Sequence, residues 1–324
     1  MKRLFSGIQP SGTIHLGNYL GAIKNWLKLA NEYEAIFCIV DYHAITIKYD
    51  PGELQKRIFD AFLVNMACGL DPEKCKIFVQ SQVPEHTELT WILNTVTPIG
   101  WLERMTQFKQ KSGQHRENVN MGLMDYPVLQ TADILLYKAE AVPVGEDQVQ
   151  HIELAREIVR AFNRRYGNLF PEPQAKLTQD SRIMGTDGKN KMSKSMDNYI
   201  GLLEPREVIW EKLRTAVTDE NRKRRSDPGN PDICNLCTLH KAFSDTDEVS
   251  EINRNCREAS IGCVDCKKTL MENMMKELEP VRQRAEALTG NPEPVYKAME
   301  EGAEYCRSIA SATMKEVRQA MGLR

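Results

Sequence analysis

The strongest sign of chemistry in this sequence is a loop rich in glycine and lysine at residues 185–195. It reads Gly-Thr-Asp-Gly-Lys-Asn-Lys-Met-Ser-Lys-Ser. Lys191 and Lys194 each carry a positive charge on a long, mobile stem, which suits them to contact a polyphosphate. The hydroxyls of Ser193 and Ser195 can donate hydrogen bonds to phosphate oxygens. Charge alone would be typical of a solvated loop, but the string Lys-Met-Ser-Lys-Ser is more specific and predicts a polyphosphate site.

A second candidate phosphate site lies near the N-terminus. A short apolar stretch leads into Gly-Ile-Gln-Pro-Ser-Gly at residues 7–12, and His-Leu-Gly-Asn at residues 15–18 begins a helical pattern. Glycine lets the backbone approach a phosphate closely, and a helix N-terminus presents free N–H groups. His15 and Asn18 are three residues apart and would project from one face of the first turn. Taken alone, the segment is equally compatible with an ordinary strand–turn–helix in which the histidine caps the helix.

Polar residues follow two further apolar stretches. Asp-Tyr-His-Ala occupies residues 41–44, and Gly-Glu-Asp-Gln occupies residues 145–148. In open parallel sheets, ligands bind at the carboxyl ends of the strands. The acids and the amide therefore predict acceptors for hydroxyl and ammonium groups of a ligand.

These segments need a scaffold, and the pattern of apolar residues predicts one. In the first half of the chain, short apolar runs alternate with stretches of helical spacing. Strands are expected at residues 4–8, 35–40, 76–80 and 141–144. Helices are expected at residues 17–30, 84–96, 126–137 and 150–162, and between a predicted N-cap at Asp50 and a stop at Gly69. This alternation favours an α/β fold with a parallel sheet covered on both faces.

The character of the sequence changes after Ser195. Helical patterns follow at residues 204–217, 247–259, 267–288 and 294–321. We therefore expect an α/β domain joined to a helical domain, with the boundary near residues 186–198.

The composition limits the classes of protein. Of the 324 residues, 41% are hydrophobic and 27% are charged, which excludes wholesale disorder and allows a large core without disulfides. The longest apolar run, at residues 35–40, is too short to cross a membrane. The formal net charge is −2, so nucleic acid would have to bind a local basic patch, for which residues 222–225 are the candidate. The N-terminus does not resemble a signal peptide, and we expect a reducing, cytoplasmic location.

Five of the nine cysteines crowd into one short segment of the second half. Cys234 and Cys237 are separated by two residues, and Cys263 and Cys266 repeat that spacing. The spacing alone is typical of a zinc ribbon. Cys256 lies between the two pairs and has no place in that pattern.

Taken together, the motifs resemble those of a known family. His-Leu-Gly-Asn followed by Lys-Met-Ser-Lys-Ser resembles the two signatures of class I aminoacyl-tRNA synthetases. Asn18 stands where many members have a second histidine, and an asparagine can still donate to phosphate. Further features similar to those of the tryptophanyl-tRNA synthetases lie at residues 7–12, 41–44, 126–129 and 145–148 and at Asp133. The resemblance extends over essentially the whole chain.

The resemblance implies a fold and an activity. The fold is a Rossmann-like parallel-sheet catalytic domain at residues 1–186, the Lys-Met-Ser-Lys-Ser loop at residues 187–198, a mainly α-helical anticodon-binding domain at residues 199–292 and a C-terminal helix at residues 293–324. The activity is ATP-dependent activation of L-tryptophan and its transfer to tRNA(Trp) by a homodimer. The tyrosyl-tRNA synthetases share the fold and the signatures and are the alternative. A nucleic-acid-binding relative without catalysis is a third hypothesis.

The resemblance also implies which residues form the site. The lysines that neutralise the leaving pyrophosphate would be Lys111, Lys191 and Lys194. ATP would contact Gln9, Ser11, Gly12, His15, Gly17, Asn18, Gly145, Asp147, Lys191, Met192, Ser193, Lys194 and Ser195. Tryptophan would contact Phe5, Gly7, Val40, His43, Tyr126, Gln130, Asp133, Val142, Val144 and Gln148. Valine and phenylalanine at such positions would equally suit plain core packing.

The implied reaction explains these residue types. The tryptophan carboxylate is already a nucleophile at neutral pH, so activation needs positioning and charge neutralisation rather than a general base. Mg²⁺ would accompany the ATP phosphates, held mainly by them and by water. Asp133 would accept the indole N–H, because a competitor without that N–H leaves a buried acceptor unpaired. Without the resemblance, Asp133 would be taken for a solvent-facing residue.

For the cysteines, the resemblance adds a second hypothesis. A subset of tryptophanyl-tRNA synthetases carries a [4Fe–4S] cluster in the anticodon-binding region, and Cys234, Cys256, Cys263 and Cys266 are similar to its ligands. Cys237 lies outside that pattern, and zinc stays open as the alternative metal. Since the reaction transfers no electrons, we expect the metal to have a structural or tRNA-contacting role.

Overall fold

The computed structural model of the chain describes residues 1–114, 119–177 and 183–323. Its strands form one parallel sheet in the order β3-β2-β1-β4-β5. The strands are β1 (Arg3–Ile8), β2 (Glu34–Ile39), β3 (Lys76–Val79), β4 (Ala141–Val144) and β5 (Gln174–Leu177). The prediction of an α/β fold with a parallel sheet is therefore confirmed.

Helices make up most of the remaining described residues. A π-helical turn, Tyr19–Ile23, joins the first two of them. None of the described helices is both long enough and apolar enough to span a bilayer. In chain order they are α1 (Leu16–Asn18), α2 (Lys24–Leu29), α3 (Asp41–Ala44), α4 (Pro51–Ala67), α5 (Glu85–Asn94), α6 (Ile99–Glu103), α7 (Thr106–Gln114), α8 (Met121–Leu136), α9 (Val149–Tyr166), α10 (Arg206–Thr215), α11 (Asn235–Phe243), α12 (Thr246–Arg257), α13 (Cys263–Gly290) and α14 (Glu293–Met321).

The chain divides into two compact units, each built from segments that are distant in sequence. The sheet unit comprises Met1–Gly12, Trp26–Thr178 and Asn291–Arg324. The helical unit comprises Thr13–Asn25 and Gln179–Gly290. The first signature thus belongs to the helical unit, and the C-terminal helix α14 belongs to the sheet unit, whereas the sequence suggested consecutive domains.

Buried apolar residues account for the strands that the sequence predicts. Every residue of β4 is buried, as are the last five residues of β2. Strands covered on both faces need continuous apolar runs, which is the pattern that the sequence shows there. β5 was not predicted, because its sequence Gln-Ala-Lys-Leu is polar and the strand is largely exposed at the edge of the sheet.

Local capping sets where the helices begin. Asp50 caps α4 as predicted, with its carboxylate accepting the N–H of Gly52 at 2.9 Å. α8 begins at Met121, earlier than the sequence suggested, because the side chain of Asn120 accepts the N–H of Leu123 at 2.9 Å. The helices α3, α6, α7 and α11 were not predicted.

The long helix α14 covers the edge strand β3. Gly302 lies so close to this strand that a Cβ at residue 302 would come within 1.8 Å of the carbonyl oxygen of Ile77. Tyr305 donates its hydroxyl to a carboxylate oxygen of Glu34 in β2 at 2.6 Å. The unpaired edge of β3 is thereby packed against a helix instead of facing water.

Candidate active site

A fully buried carboxylate lies at the centre of the sheet unit. Asp133 in α8 is 1% exposed. Its Oδ1 accepts hydrogen bonds from Gln80 Nε2 at 2.7 Å and from His86 Nδ1 at 2.6 Å. Its Oδ2 accepts a hydrogen bond from His43 Nε2 at 2.8 Å. Three elements of the unit, namely α3, the end of β3 and α5, therefore each supply one donor to this carboxylate.

Asp133 is an anion despite its burial. Burial raises the pKa of Asp133, but the hydrogen bonds and positive charge from His43 and His86 outweigh burial and lower it to about 2. Each carboxylate oxygen can accept two hydrogen bonds. From the residues that the structure describes, Oδ1 receives two and Oδ2 receives one, which leaves Oδ2 able to accept one more. A ligand N–H is the partner that this position suits.

The donors of Asp133 are themselves held in place. His86 Nε2 lies 2.8 Å from the hydroxyl of Tyr137. The two nitrogens of the His86 ring are therefore both engaged, Nδ1 with Asp133 and Nε2 with Tyr137. The ring of Tyr137 stacks on that of Phe5, with 5.4 Å between the ring centroids. The carboxylate therefore has a fixed direction as well as a fixed charge.

The other residues expected to contact tryptophan also lie in the sheet unit. Phe5, Val40, Val142 and Val144 are buried in or just after β1, β2 and β4, Gly7 lies in β1, and Gln130 is half-buried in α8. Tyr126 is buried, with its hydroxyl 3.0 Å from Nε2 of His151. The order of the strands reverses at β1, whose neighbours are β2 and β4, and the crevice at such a point is where ligands bind in doubly wound sheets.

Polar residues expected to contact ATP or tryptophan follow these strands. Gln148 Nε2 donates to Asp147 Oδ2 at 3.3 Å, and both residues lie in the short 3₁₀ turn after Gly145. Gln9, Ser11 and Gly12 follow β1. Lys111 lies in α7, and its side chain is outside the described part of the chain.

In the helical unit, the two signature motifs come together around His15. Burial, and then the positive charges of Lys194 and Lys191, lower the pKa of His15 to about 4. His15 is therefore neutral at physiological pH. Its buried Nδ1 has no hydrogen-bond partner among the described residues. Asn18 Oδ1 accepts the backbone N–H of His15 at 3.1 Å. A neutral ring nitrogen beside two lysines leaves this position suited to an anionic ligand, and the role of His15 stays a prediction.

The Lys-Met-Ser-Lys-Ser loop continues from a hairpin. Met184 and Lys191 pair as an antiparallel bridge, and the N–H of Met192 donates to the carbonyl of Ile183 at 2.9 Å. The side chain of Met192 is buried and anchors the hairpin, whereas that of Lys191 is exposed. The hydroxyls of Ser193 and Ser195 are 2.8 Å apart.

The clustered cysteines lie in one region of the helical unit. Burial, and then electrostatic repulsion from Cys234, Cys256 and Cys263, raises the pKa of Cys266 to about 12. Nη1 of Arg222 lies 3.8 Å from the sulfur of Cys256 and 3.8 Å from that of Cys263. Within the ranges that the structure describes, no three His, Cys, Asp or Glu side chains are arranged to hold a metal ion.

Cys237, which lies outside the iron–sulfur pattern, pairs with Cys234. The two thiols share a hydrogen bond that lowers the pKa of Cys234 to about 6 and raises that of Cys237. The sulfur of Cys266 lies 3.3 Å from Nε2 of His240. Arg222 was expected in a basic surface patch, but its guanidinium turns inward toward the thiols and donates to the carbonyl of Ile261 at 2.7 Å.

Sequence reasoning missed Gln80 and His86, which donate to Asp133, and Tyr137, which contacts His86. Gln80 follows β3, so the rule that ligands lie at the carboxyl ends of strands could have found it. His86 is a single histidine on the buried face of α5, a pattern more often found in ordinary cores. Tyr137 at the end of α8 carries no local signal either.

The parallel sheet with its reversal at β1, together with the paired signature motifs, defines a class I aminoacyl-tRNA synthetase. The family model for tRNA synthetases class I (W and Y) matches residues 1–279, and the chain belongs to this family.

Individual relatives are similar over their whole length. The tryptophan–tRNA ligase of Deinococcus radiodurans is 52% identical, with 99% of each chain covered, and that of Thermotoga maritima is 44% identical, again with 99% of each covered. The tryptophanyl-tRNA synthetase of Campylobacter jejuni, solved in complex with ADP and tryptophan, superimposes with a TM-score of 0.89 at 34% identity, covering 99% of this chain and 100% of that one.

Proposed function

We propose that this protein is a tryptophan–tRNA ligase, which activates L-tryptophan with ATP and transfers it to tRNA(Trp). The observation that carries the choice of tryptophan is the buried, ionised Asp133, which can accept one more hydrogen bond. Only the indole among the aromatic amino acid side chains carries an N–H that is purely a donor. The full-length similarity to tryptophan–tRNA ligases supports the same choice.

In the activation step, a carboxylate oxygen of tryptophan attacks the α-phosphorus of ATP. A bond forms between that oxygen and phosphorus, the bond from phosphorus to the bridging oxygen breaks, and pyrophosphate leaves with the electron pair. Lys191 and Lys194 neutralise the charge on the leaving group, and Lys111 is assigned the same role by resemblance. His15, Asn18 and the backbone at Gly17 contact the phosphates. Mg²⁺ accompanies the phosphates and takes its ligands mainly from them and from water.

Tryptophan is held at both ends. Asp133 accepts the indole N–H, and Tyr126 and Gln148 bind the ammonium group, with the apolar residues of β1, β2 and β4 around the ring. In the second step, a hydroxyl of the terminal ribose of tRNA attacks the activated carbonyl and AMP leaves. The exposed basic side chains of Lys223, Arg224 and Arg225 suit contact with tRNA phosphates.

The proposed function predicts which amino acid drives ATP–pyrophosphate exchange. We expect exchange with tryptophan to exceed that with tyrosine by at least about 100-fold in kcat/KM. The hydroxyl of tyrosine lies at a different position on its ring from the indole N–H, and a ligand that does not pair with a buried acceptor loses a large part of its binding free energy. The measurement is the exchange of labelled pyrophosphate into ATP with each amino acid in turn. Faster exchange with tyrosine would assign the protein to the sister enzyme, and no exchange with either would favour the non-catalytic relative.

We further propose that the protein acts as a homodimer in the cytoplasm. Trp91 and Ile99 are 74% and 64% exposed in the chain by itself, and large apolar side chains at a surface are typical of protein interfaces. ATP and tRNA, the substrates of the proposed reaction, are used in the cytoplasm.

The cysteine region is proposed to hold a [4Fe–4S] cluster, with Cys234, Cys256, Cys263 and Cys266 as ligands and zinc as the alternative. Thiolates are the ligands that both metals prefer. The close approach of Arg222 to two of the thiols also supports the proposal, because a guanidinium offsets the negative charge that metal-binding thiolates carry. The cluster has no part in the activation chemistry.

Iron analysis and two matched variants test this proposal. Anaerobically purified protein is expected to be brown and to contain about four irons per chain. Cys266→Ser should abolish the colour, whereas Cys237→Ser should keep it, because Cys237 is not among the proposed ligands. A colourless protein that holds one zinc, lost in Cys237→Ser, would establish the zinc ribbon instead.

The same variants separate the tasks of the two units. We expect Cys266→Ser to retain tryptophan-dependent exchange and to weaken tRNA charging, since the cysteines are assigned to the anticodon-binding region. Loss of exchange in a Cys266→Ser protein that stays folded would contradict this separation.

A further inference from the structure

Asn198 lies where two parts of the Lys-Met-Ser-Lys-Ser loop meet. Its side chain is buried, with 3% exposure. Nδ2 donates to Asp187 Oδ2 at 3.1 Å and to the carbonyl of Lys191 at 3.3 Å. Oδ1 accepts the N–H of Ser193 at 2.8 Å. A single amide thus joins Asp187 in the turn of the hairpin to the backbone of Lys191 and Ser193 in the signature motif.

The backbone of Gly185 and Thr186 packs closely against Asn198. The N–H of Thr186 donates to the carbonyl of Asn198 at 2.8 Å. Gly185 lies so close that a Cβ at residue 185 would come within 2.2 Å of the Asn198 amide group. The absence of a side chain at residue 185 therefore lets the Asn198 amide reach its hydrogen-bond partners, which explains why the loop has a glycine there.

Asp187 supplies the charged partner of the amide. Its carboxylate accepts the N–H groups of Lys189 and Asn190 at 3.1 and 3.2 Å. Nδ2 of Asn190 also donates to it at 3.0 Å. The side chain of Asn190, followed by these backbone N–H groups, lowers the pKa of Asp187 to about 2. Asp187 is therefore ionised at neutral pH, and a charged acceptor strengthens its hydrogen bond with Asn198.

The residues that follow Asn198 contact the first signature. The carbonyl of Ile200 accepts the N–H of Leu16 at 3.0 Å. Gly201 pairs with His15 as an antiparallel bridge. The segment of residues 198–202 thus begins with an amide that fixes the second signature and continues into backbone that fixes the first.

We propose that Asn198 is a positioning residue of the activation step, holding the loop in the conformation that presents Lys194 to the leaving pyrophosphate. The inference rests on the proposed role of Lys194. A charge that is already in place when the leaving group departs needs no reorganisation of the loop in the transition state. Asn198 itself contacts no reacting atom and acts through Lys194.

The first test is Asn198→Ala in the full-length protein. We expect kcat of tryptophan-dependent exchange to fall by about 100-fold, since misplacement of a catalytic group by about 1 Å has that effect, with KM for tryptophan changed less than about twofold. Asn163→Ala is the matched control. Asn163 pins a loop of the sheet unit through the N–H groups of Leu169 and Phe170 and the carbonyl of Phe170. We expect it to lower the melting temperature while kcat changes less than about threefold.

The second test asks whether Asn198 acts through Lys194. In a Lys194→Ala background, Asn198→Ala should lower kcat by less than about a further threefold, because the group that it positions is already absent. If the double variant lost kcat by the product of the two single losses, the proposal would be overturned, and Asn198 would act independently of Lys194. A Lys194→Ala enzyme as fast as the unmodified protein would instead contradict the proposed role of the lysine.

A third variant covers the case in which Asn198→Ala does not fold. Asn198→Asp keeps the size of the side chain and the acceptor for Ser193, but it places a second carboxylate beside Asp187. Repulsion should displace the loop and lower kcat in the same way, without the loss of packing. Unchanged kcat in a folded Asn198→Asp protein would overturn the proposal.

Discussion

Replacing Lys194 with alanine is expected to lower kcat of tryptophan-dependent exchange by a factor of about 100 or more, with KM for tryptophan nearly unchanged. A mobile lysine that contacts the leaving pyrophosphate acts mainly in the transition state, where such a group contributes about 3 kcal/mol. Steady-state exchange at saturating ATP gives kcat and KM separately. Tryptophan binding by the variant can be measured in the absence of ATP.

Lys189→Ala is the matched control for this experiment. Lys189 lies in the same loop and carries the same charge, but its side chain is exposed and its Nζ lies 3.9 Å from a carboxylate oxygen of Glu220. Such a surface ion pair contributes little. We expect the control to change kcat less than about threefold. A loss in Lys194→Ala that is confined to tryptophan affinity, or an equal loss in Lys189→Ala, would contradict the proposed role of Lys194.

The Asp133→Asn variant should lose both specificity and stability. An amide cannot accept hydrogen bonds at both of its terminal atoms, so at least one donor among Gln80, His86 and His43 would face another donor. We expect kcat/KM for tryptophan to fall by about 100-fold, because the indole loses its ionised acceptor. Removing one member of a buried charged network costs about 3–5 kcal/mol, which denaturant unfolding would measure.

Asp125→Asn provides the comparison on the same helix. Asp125 in α8 is half-buried and accepts a hydrogen bond from Nδ2 of Asn94 at 2.9 Å. Burial raises the pKa of Asp125, so the neutral amide replaces a carboxylate that burial already disfavours. We expect this variant to be at least as stable as the unmodified protein and to discriminate tryptophan from tyrosine as before. An Asp133→Asn protein with unchanged kcat/KM for tryptophan would exclude Asp133 as the indole acceptor.

The sheet could be predicted because its strands carry their own signal. β4 is apolar throughout and β2 is apolar after Glu34, as expected for parallel strands that are covered on both faces. β5 has a polar sequence and is defined only by its pairing with β4, which no local pattern reports. The change from sheet to helical unit near residue 179 could also be predicted, but the exchange of Thr13–Asn25 and Asn291–Arg324 between the units could not, because it depends on contacts such as that of α14 with β3, which are distant in sequence.

For the site, too, residues with a local sequence signal could be predicted, and residues defined by long-range contacts could not. The residues at strand ends were predictable, since their position after an apolar run places them at the ligand-binding edge of the sheet. Asp133 could be singled out only by resemblance, and nothing in the sequence links it to His86, because their hydrogen bond forms only when α5 packs against α8. Asn198 was overlooked for the same reason, as its partners are set by the fold of the hairpin.

The helix that covers β3 also has a consequence for the order of events during translation. Glu34 in β2 leaves the ribosome 271 residues before Tyr305, its partner in α14. At about 5–20 residues per second, roughly 14 to 54 seconds pass between the synthesis of these two residues. The helical unit ends at Gly290, so its whole sequence is available before α14 is complete. After β3 has been made and before α14 follows, the edge of β3 in the nascent sheet is open to pairing with another chain, and nascent polypeptides halted before residue 291 should be bound by chaperones or aggregate.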